Sequence, residues 1–87
     1  MQTEFEYIRF EKIENTRKTT IWNCLNKTNF YLGTIKWYSG WRQYVFIPQP
    51  DTEFSAGCLL DISRFIKELM DERKKEVRPK IQVEPQM

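Results

Sequence analysis

The sequence predicts an α+β domain, a four-stranded antiparallel meander followed by one C-terminal amphipathic helix packed on one face of the sheet (ββββα). Three observations predict it. Four runs rich in β-branched and aromatic residues are separated by short polar or glycine-containing turns, a pair of prolines closes the fourth run, and a stripe of apolar residues at helical spacing follows.

The strand-like runs are Phe5–Ile13, Thr19–Leu25, Phe30–Tyr38 and Trp41–Ile47, and their ring-bearing and branched side chains suit a half-buried pleated surface. Glu14–Lys18 and Asn26–Asn29 are polar connections of hairpin length. Ser39-Gly40 is the tightest connection, with Gly40 offering the positive φ that a two-residue turn demands. Pro48-Gln49-Pro50-Asp51 ends the sheet, because proline cannot donate to a ladder and steers the residue before it away from helix. From Ser55, a helix N-cap, the run to Glu76 sets Cys58, Leu59, Ile62, Phe65, Ile66 and Leu69 on one side and Asp61, Arg64, Lys67, Glu68 and Asp71 between them. Residues 1–76 read as one domain and 77–87, with Pro79 and Pro85, as a flexible C-terminal tail.

At 87 residues such a domain buries only about 60 to 65% of the surface its unfolded chain exposes. Aromatic residues, 15% of the chain, supply the missing core volume. Fourteen basic and 12 acidic residues leave a net charge of +2, too little for a general attraction to nucleic acid or acidic membranes, so any basic site is local. The chain has no histidine, which removes histidine-based nucleophile systems, acid–base chemistry and zinc ligation. Cys24 and Cys58 fit no metal or redox spacing and read as small buried hydrophobes. No metal site or small-molecule cofactor is expected. No run approaches the ~20 apolar residues that span a bilayer, and the opening MQTEFEYIRF lacks the apolar core of a signal peptide, so a cytoplasmic protein without a membrane partner is expected.

Alternation along the strands assigns every residue to a face once the turns set the register. With loops of four, four and two residues, one face carries Ile8, Phe10, Ile21, Leu25, Phe30, Leu32, Val45 and Ile47, with Lys36, Tyr38 and Trp41 toward one end, and is mostly aliphatic. The other carries Tyr7, Arg9, Trp22, Cys24, Tyr31, Ile35, Trp37, Arg42, Tyr44 and Phe46 and is aromatic with interleaved arginine. One helix covers one of these faces. The other is free to bind, and the candidate interaction residues are Arg9, Trp22, Tyr31, Trp37, Trp41, Arg42 and Tyr44.

The functional expectation is a non-enzymatic interaction module that self-associates as a homodimer through the aromatic face, since exposed ring-and-arginine patches mark interfaces. The alternative is single-stranded DNA or RNA binding, with rings stacking on bases and arginines on phosphates. An enzyme would have to draw on residues such as Arg42, Tyr44 and Glu11, whose spacing demands no chemistry.

The stretch Gly33-Thr-Ile35-Lys-Trp37, then Trp41-Arg42-Gln-Tyr44-Val-Phe46-Ile-Pro48 and Cys58-Leu59-Leu-Asp61-Ile62-Ser-Arg-Phe65-Ile66, resembles small uncharacterised proteins of bacteria and their phages or mobile elements. The resemblance spans residues 19–70 and implies no activity and no site. In architecture alone the order of strands and helix is also similar to the single-stranded-DNA-binding domain of transcriptional coactivators, a dimer that grips DNA with its sheets. This chain lacks a lysine-rich strand pair.

Overall fold

A computed structural model describes residues 1–15 and 18–77, the last two by backbone alone. The expected order of elements is what forms: β1 (Ile8–Asn15), β2 (Thr20–Asn26), β3 (Tyr31–Tyr38), β4 (Gln43–Pro48) and α1 (Ala56–Val77). The strands make one antiparallel sheet in the order β1-β2-β3-β4. Of the tail expected at 77–87, Val77 is the last residue of α1 and the rest lies outside the described residues.

The first strand begins later than its composition suggests. Residues 1–7 instead fold back along the outer edge of β1, where the Phe5 amide donates to the Ile8 carbonyl and the Phe10 amide to the Thr3 carbonyl, both at 2.8 Å. Two interactions favour this path over a longer strand. Phe5 enters the core, and the Tyr7 amide donates to the Asp61 carboxylate of α1 at 2.8 Å, giving a buried carboxylate a hydrogen-bond partner.

At the second turn the Asn26 Oδ1 accepts the amides of Thr28 and Phe30 and the Thr28 hydroxyl, each at 2.9 Å, which satisfies the tight backbone without glycine. The third turn differs from the two-residue expectation. It spans Ser39–Arg42, closed by the Trp41 amide on the Tyr38 carbonyl and the Arg42 amide on the Ser39 carbonyl, and the left-handed residue is Arg42 (φ 55°), not Gly40. Gly40 serves a spatial need, since a Cβ there would stand 2.9 Å from the Tyr38 ring.

Ser55 caps α1 as its side chain suggests, its Oγ accepting the Cys58 amide at 3.2 Å. The helix packs Ile62, Phe65 and Leu69 on the sheet, flanked by half-buried Cys58, Ile66 and Met70. Leu59 departs from the expected stripe and is 51% exposed, as is its neighbour Leu60. Cys58, one residue earlier, packs on the core, and a step of about 100° around the helix axis turns Leu59 off that line toward solvent.

The core consists of Phe5, Ile8, Phe10, Trp22, Cys24, Leu32, Ile35 and Tyr44 beneath that helical stripe. Burial pushes the Cys24 thiol from its ordinary 9.0 up to about 12, with the neighbouring Cys58 adding to the rise. Iodoacetamide at neutral pH should therefore label half-buried Cys58 and spare Cys24 until the chain unfolds. Between pH 9.0 and about 12 the unfolded chain loses this proton while the folded chain keeps it, so stability should fall as pH rises through that window. Replacing Cys24 with alanine should flatten the decline seen by urea titration at pH 8 and 10.5 (~1.5 pH units into the window).

Candidate binding surfaces

The helix covers the aromatic face. Trp22–Ile35, Trp37–Tyr44 and Ile35–Phe46 are cross-strand neighbours on that side, as the alternation predicts for β2, β3 and β4. Their faces survive the longer third turn because it lengthens the loop by two residues, which preserves parity.

The first strand is turned over. A β-bulge at Ile13 shifts the β1–β2 register by one, so that Phe10 pairs with Cys24 and Lys12 with Trp22. Ile8, Phe10 and Lys12 therefore join the helix side, and Arg9 lies on the uncovered side, the reverse of the expected assignment. A second slip at Leu32, with Cys24 opposite Gly33 but Leu25 opposite Tyr31, moves Tyr31 off the aromatic face.

The seven candidate residues consequently do not form one surface. Trp22 and Tyr44 are core, 6% and 4% exposed, because one helix must cover the face with the greater apolar volume. Trp37 is half-buried between the Tyr44 ring, 5.4 Å away edge-on, and the Arg73 guanidinium, 4.0 Å above it. Arg9, Tyr31, Trp41 and Arg42 remain at the surface. A homodimer formed through the aromatic face is thus replaced, as a geometric option, by one formed through the opposite face. Glu11 and Tyr44 point to opposite sides of the sheet, so the trio of Arg42, Tyr44 and Glu11 does not converge.

Two surfaces remain. On the uncovered face Ile21, Leu25, Val45 and Ile47 alternate with Asn23, Thr34 and Lys36, while Tyr31 and Tyr38 flank them, the Tyr31 hydroxyl hydrogen-bonded to that of Thr34. At its end Tyr38 and Trp41 meet edge-on at 5.1 Å with Trp41 67% exposed, and Arg42 follows. Arg9 is tied to Asn29 Oδ1 through Nε at 3.1 Å and to Glu11 at 3.7 Å. Among the described residues Lys36 and Arg42 have no carboxylate partner.

On the helix side, where the β1–β2 hairpin meets the last turns of α1, a cleft of about 460 Å³ opens. Lys12, Lys18, Thr20, Glu72 and Arg73 line it, over the edges of Trp22 and Tyr44. Sequence reading does not pick out these cations, since Lys12 reaches the cleft only through the bulge and Arg73 only through helix docking. The one available signal was Lys12 following Phe10 at strand spacing, a long cation on an apolar stripe.

Over 71 residues the chain is 37% identical to an uncharacterised 9.3 kDa protein of Acholeplasma phage L2, an alignment that covers 79% of this chain and 91% of the phage protein. The chain belongs to that phage protein's family. No family model matches it, and no solved structure does. The resemblance to small phage-encoded proteins is thereby supported at the level of the family, which carries no activity with it. No helix among the described residues is long and apolar enough to cross a membrane.

Proposed function

We propose that this chain is a non-enzymatic binding module that lays single-stranded nucleic acid across the uncovered sheet face toward the β3–β4 turn. The observation that carries the reading is the set of exposed rings Tyr31, Tyr38 and Trp41 on the same side as Lys36 and Arg42, cations without a carboxylate partner among the described residues. Rings offer π-faces to unpaired bases, cations meet phosphates, and Asn23 and Thr34 between them can hydrogen-bond base edges. The modest net charge suits a short contact of few phosphates. A labelled single-stranded DNA or RNA should bind with an affinity that falls with salt at a slope of roughly −0.7 per phosphate contacted. Trp41→Ala should weaken it about tenfold or more, in line with about 1 to 3 kcal/mol per stacked base. Unchanged tryptophan fluorescence together with no salt-dependent binding would rule the reading out.

A second reading, the homodimer, is favoured by the aliphatic part of the same face, where Ile47 is 47% exposed beside half-buried Val45 and Ile21. Four strands about 4.8 Å apart and about 23 Å long give roughly 450 Å² per copy. Two copies would bury near 900 Å², at the lower edge of about 1,000 Å² for a specific interface, which makes this a weak association. Light scattering at high micromolar concentration separates the two readings.

A further inference from the structure

The cleft on the helix side uses none of the residues of the nucleic-acid reading and stands independently of it. Its cations come from three segments: Lys12 from β1, Lys18 from the β1–β2 connection and Arg73 from α1. None has a carboxylate partner among the described residues. Lys12 lies 5.6 Å from the Trp22 ring centroid, Arg73 donates to the Lys18 carbonyl at 3.0 Å, and the nearby carboxylate of Glu72 faces Lys75 at 3.9 Å. Three positive groups around one opening repel one another unless an anion joins them.

The floor supplies a further donor. The Tyr44 hydroxyl accepts the Thr20 amide at 3.0 Å and lies 3.4 Å from Thr20 Oγ1, which in turn accepts the Trp22 indole N–H at 2.7 Å. Two hydroxyl protons are present and the contact between them uses one. The other, carried by whichever of buried Tyr44 and half-buried Thr20 does not donate, has no acceptor among the described residues. A hydroxyl proton without a protein acceptor on the floor of a cleft that Lys12, Lys18 and Arg73 line, the last with its guanidinium also stacked over Trp37, matches an oxyanion with several oxygens and more than one negative charge.

We propose that this cleft binds the phosphate group of a small phosphate monoester. A volume of about 460 Å³ lies within the range of small-ligand sites and leaves space for the organic part of the molecule beyond the phosphate.

The test is a nitrogen-resolved NMR titration with inorganic phosphate, adenosine 5′-monophosphate and adenosine. The Trp22 indole N–H and Thr20 amide report from the floor, and the Trp41 indole is the remote control. Phosphate should move the Trp22 and Thr20 signals and leave Trp41 in place, the monophosphate should move Trp22 and Thr20 as well, and adenosine, whose base can meet only the opposite face at Trp41, should leave Trp22 and Thr20 unmoved. Lys12→Met combined with Lys18→Gln should weaken the monophosphate about tenfold or more. Should that pair disturb the fold, Lys18→Gln alone, at an exposed side chain, should still weaken it several-fold. Trp41→Ala, which tests the nucleic-acid reading, should leave this titration unchanged. No movement of the Trp22 signal up to about 10 mM phosphate or monophosphate, an equal response to adenosine, or wild-type affinity in the folded lysine variants would overturn the proposal.

Discussion

Phe65→Ala should leave little of the protein folded in dilute urea. The Phe65 ring is fully buried, stacked on Phe10 with centroids 3.9 Å apart and met edge-on by Trp22 at 4.9 Å and Phe5 at 6.3 Å. It is the point at which α1, the folded-back N-terminal segment, β1 and β2 come together. Truncating such a ring costs about 3 to 5 kcal/mol in lost transfer energy and cavity, against a total of roughly 4 to 13 kcal/mol for a chain of this length. The urea midpoint should fall by about 2 M, given a slope of about 1.5 to 2 kcal/mol per molar. Phe65→Leu should recover more than half of the loss by filling the volume without the ring contacts. A midpoint shift below about 0.5 M for the alanine variant would mean that the helix is not held to the sheet at this point.

Gly33→Ala should be nearly as damaging, by overpacking instead of by a void. A Cβ at this position would meet the Ile47 carbonyl oxygen at 2.5 Å and two carbons of the Phe46 ring at 2.7 and 2.8 Å. A side chain can rotate away, but a carbonyl in the adjacent strand cannot move without opening the β3–β4 ladder. The expected loss is about 1 to 3 kcal/mol or more. A double-mutant cycle with Phe46→Leu locates the cause, since relief of the ring contact alone should return less than half of the penalty. Full rescue by Phe46→Leu would assign the clash to the ring and not to the backbone.

Most of the fold was legible because it rests on local signals. Ser55 announces the helix by its capping oxygen, Ile62, Phe65 and Leu69 by their spacing, and the polar clusters around Asn26 and Ser39 mark the turns. The alternation of β2 through β4 held because the third turn changed length by an even number. What could not be read were the two bulges, at Ile13 and Leu32, since an extra strand residue needs no particular side chain and leaves no compositional mark. The choice of covered face was also closed to sequence reading. It depends on total volume across three strands and on Phe5 arriving from a segment that pairs outside the sheet, both long-range properties. For the same reason the sequence placed Trp22 and Tyr44 among candidate contacts when packing makes them core, and it gave no prominence to Lys12 and Arg73.

The bulge at Ile13 also makes β1 a counting device. Upstream of it the strand is held to the correct side only by having one residue more than its partner, so losing one residue there would exchange Ile8 and Phe10 for Arg9 and Glu11 beneath the helix. Loss or gain of a pair would keep the parity. Length variation within this phage family should therefore be tolerated in the β1–β2 connection, or in twos along the strand, and singly almost nowhere between Ile8 and Ile13. A frameshift-free genome can still carry an error of phase at the level of the folded chain.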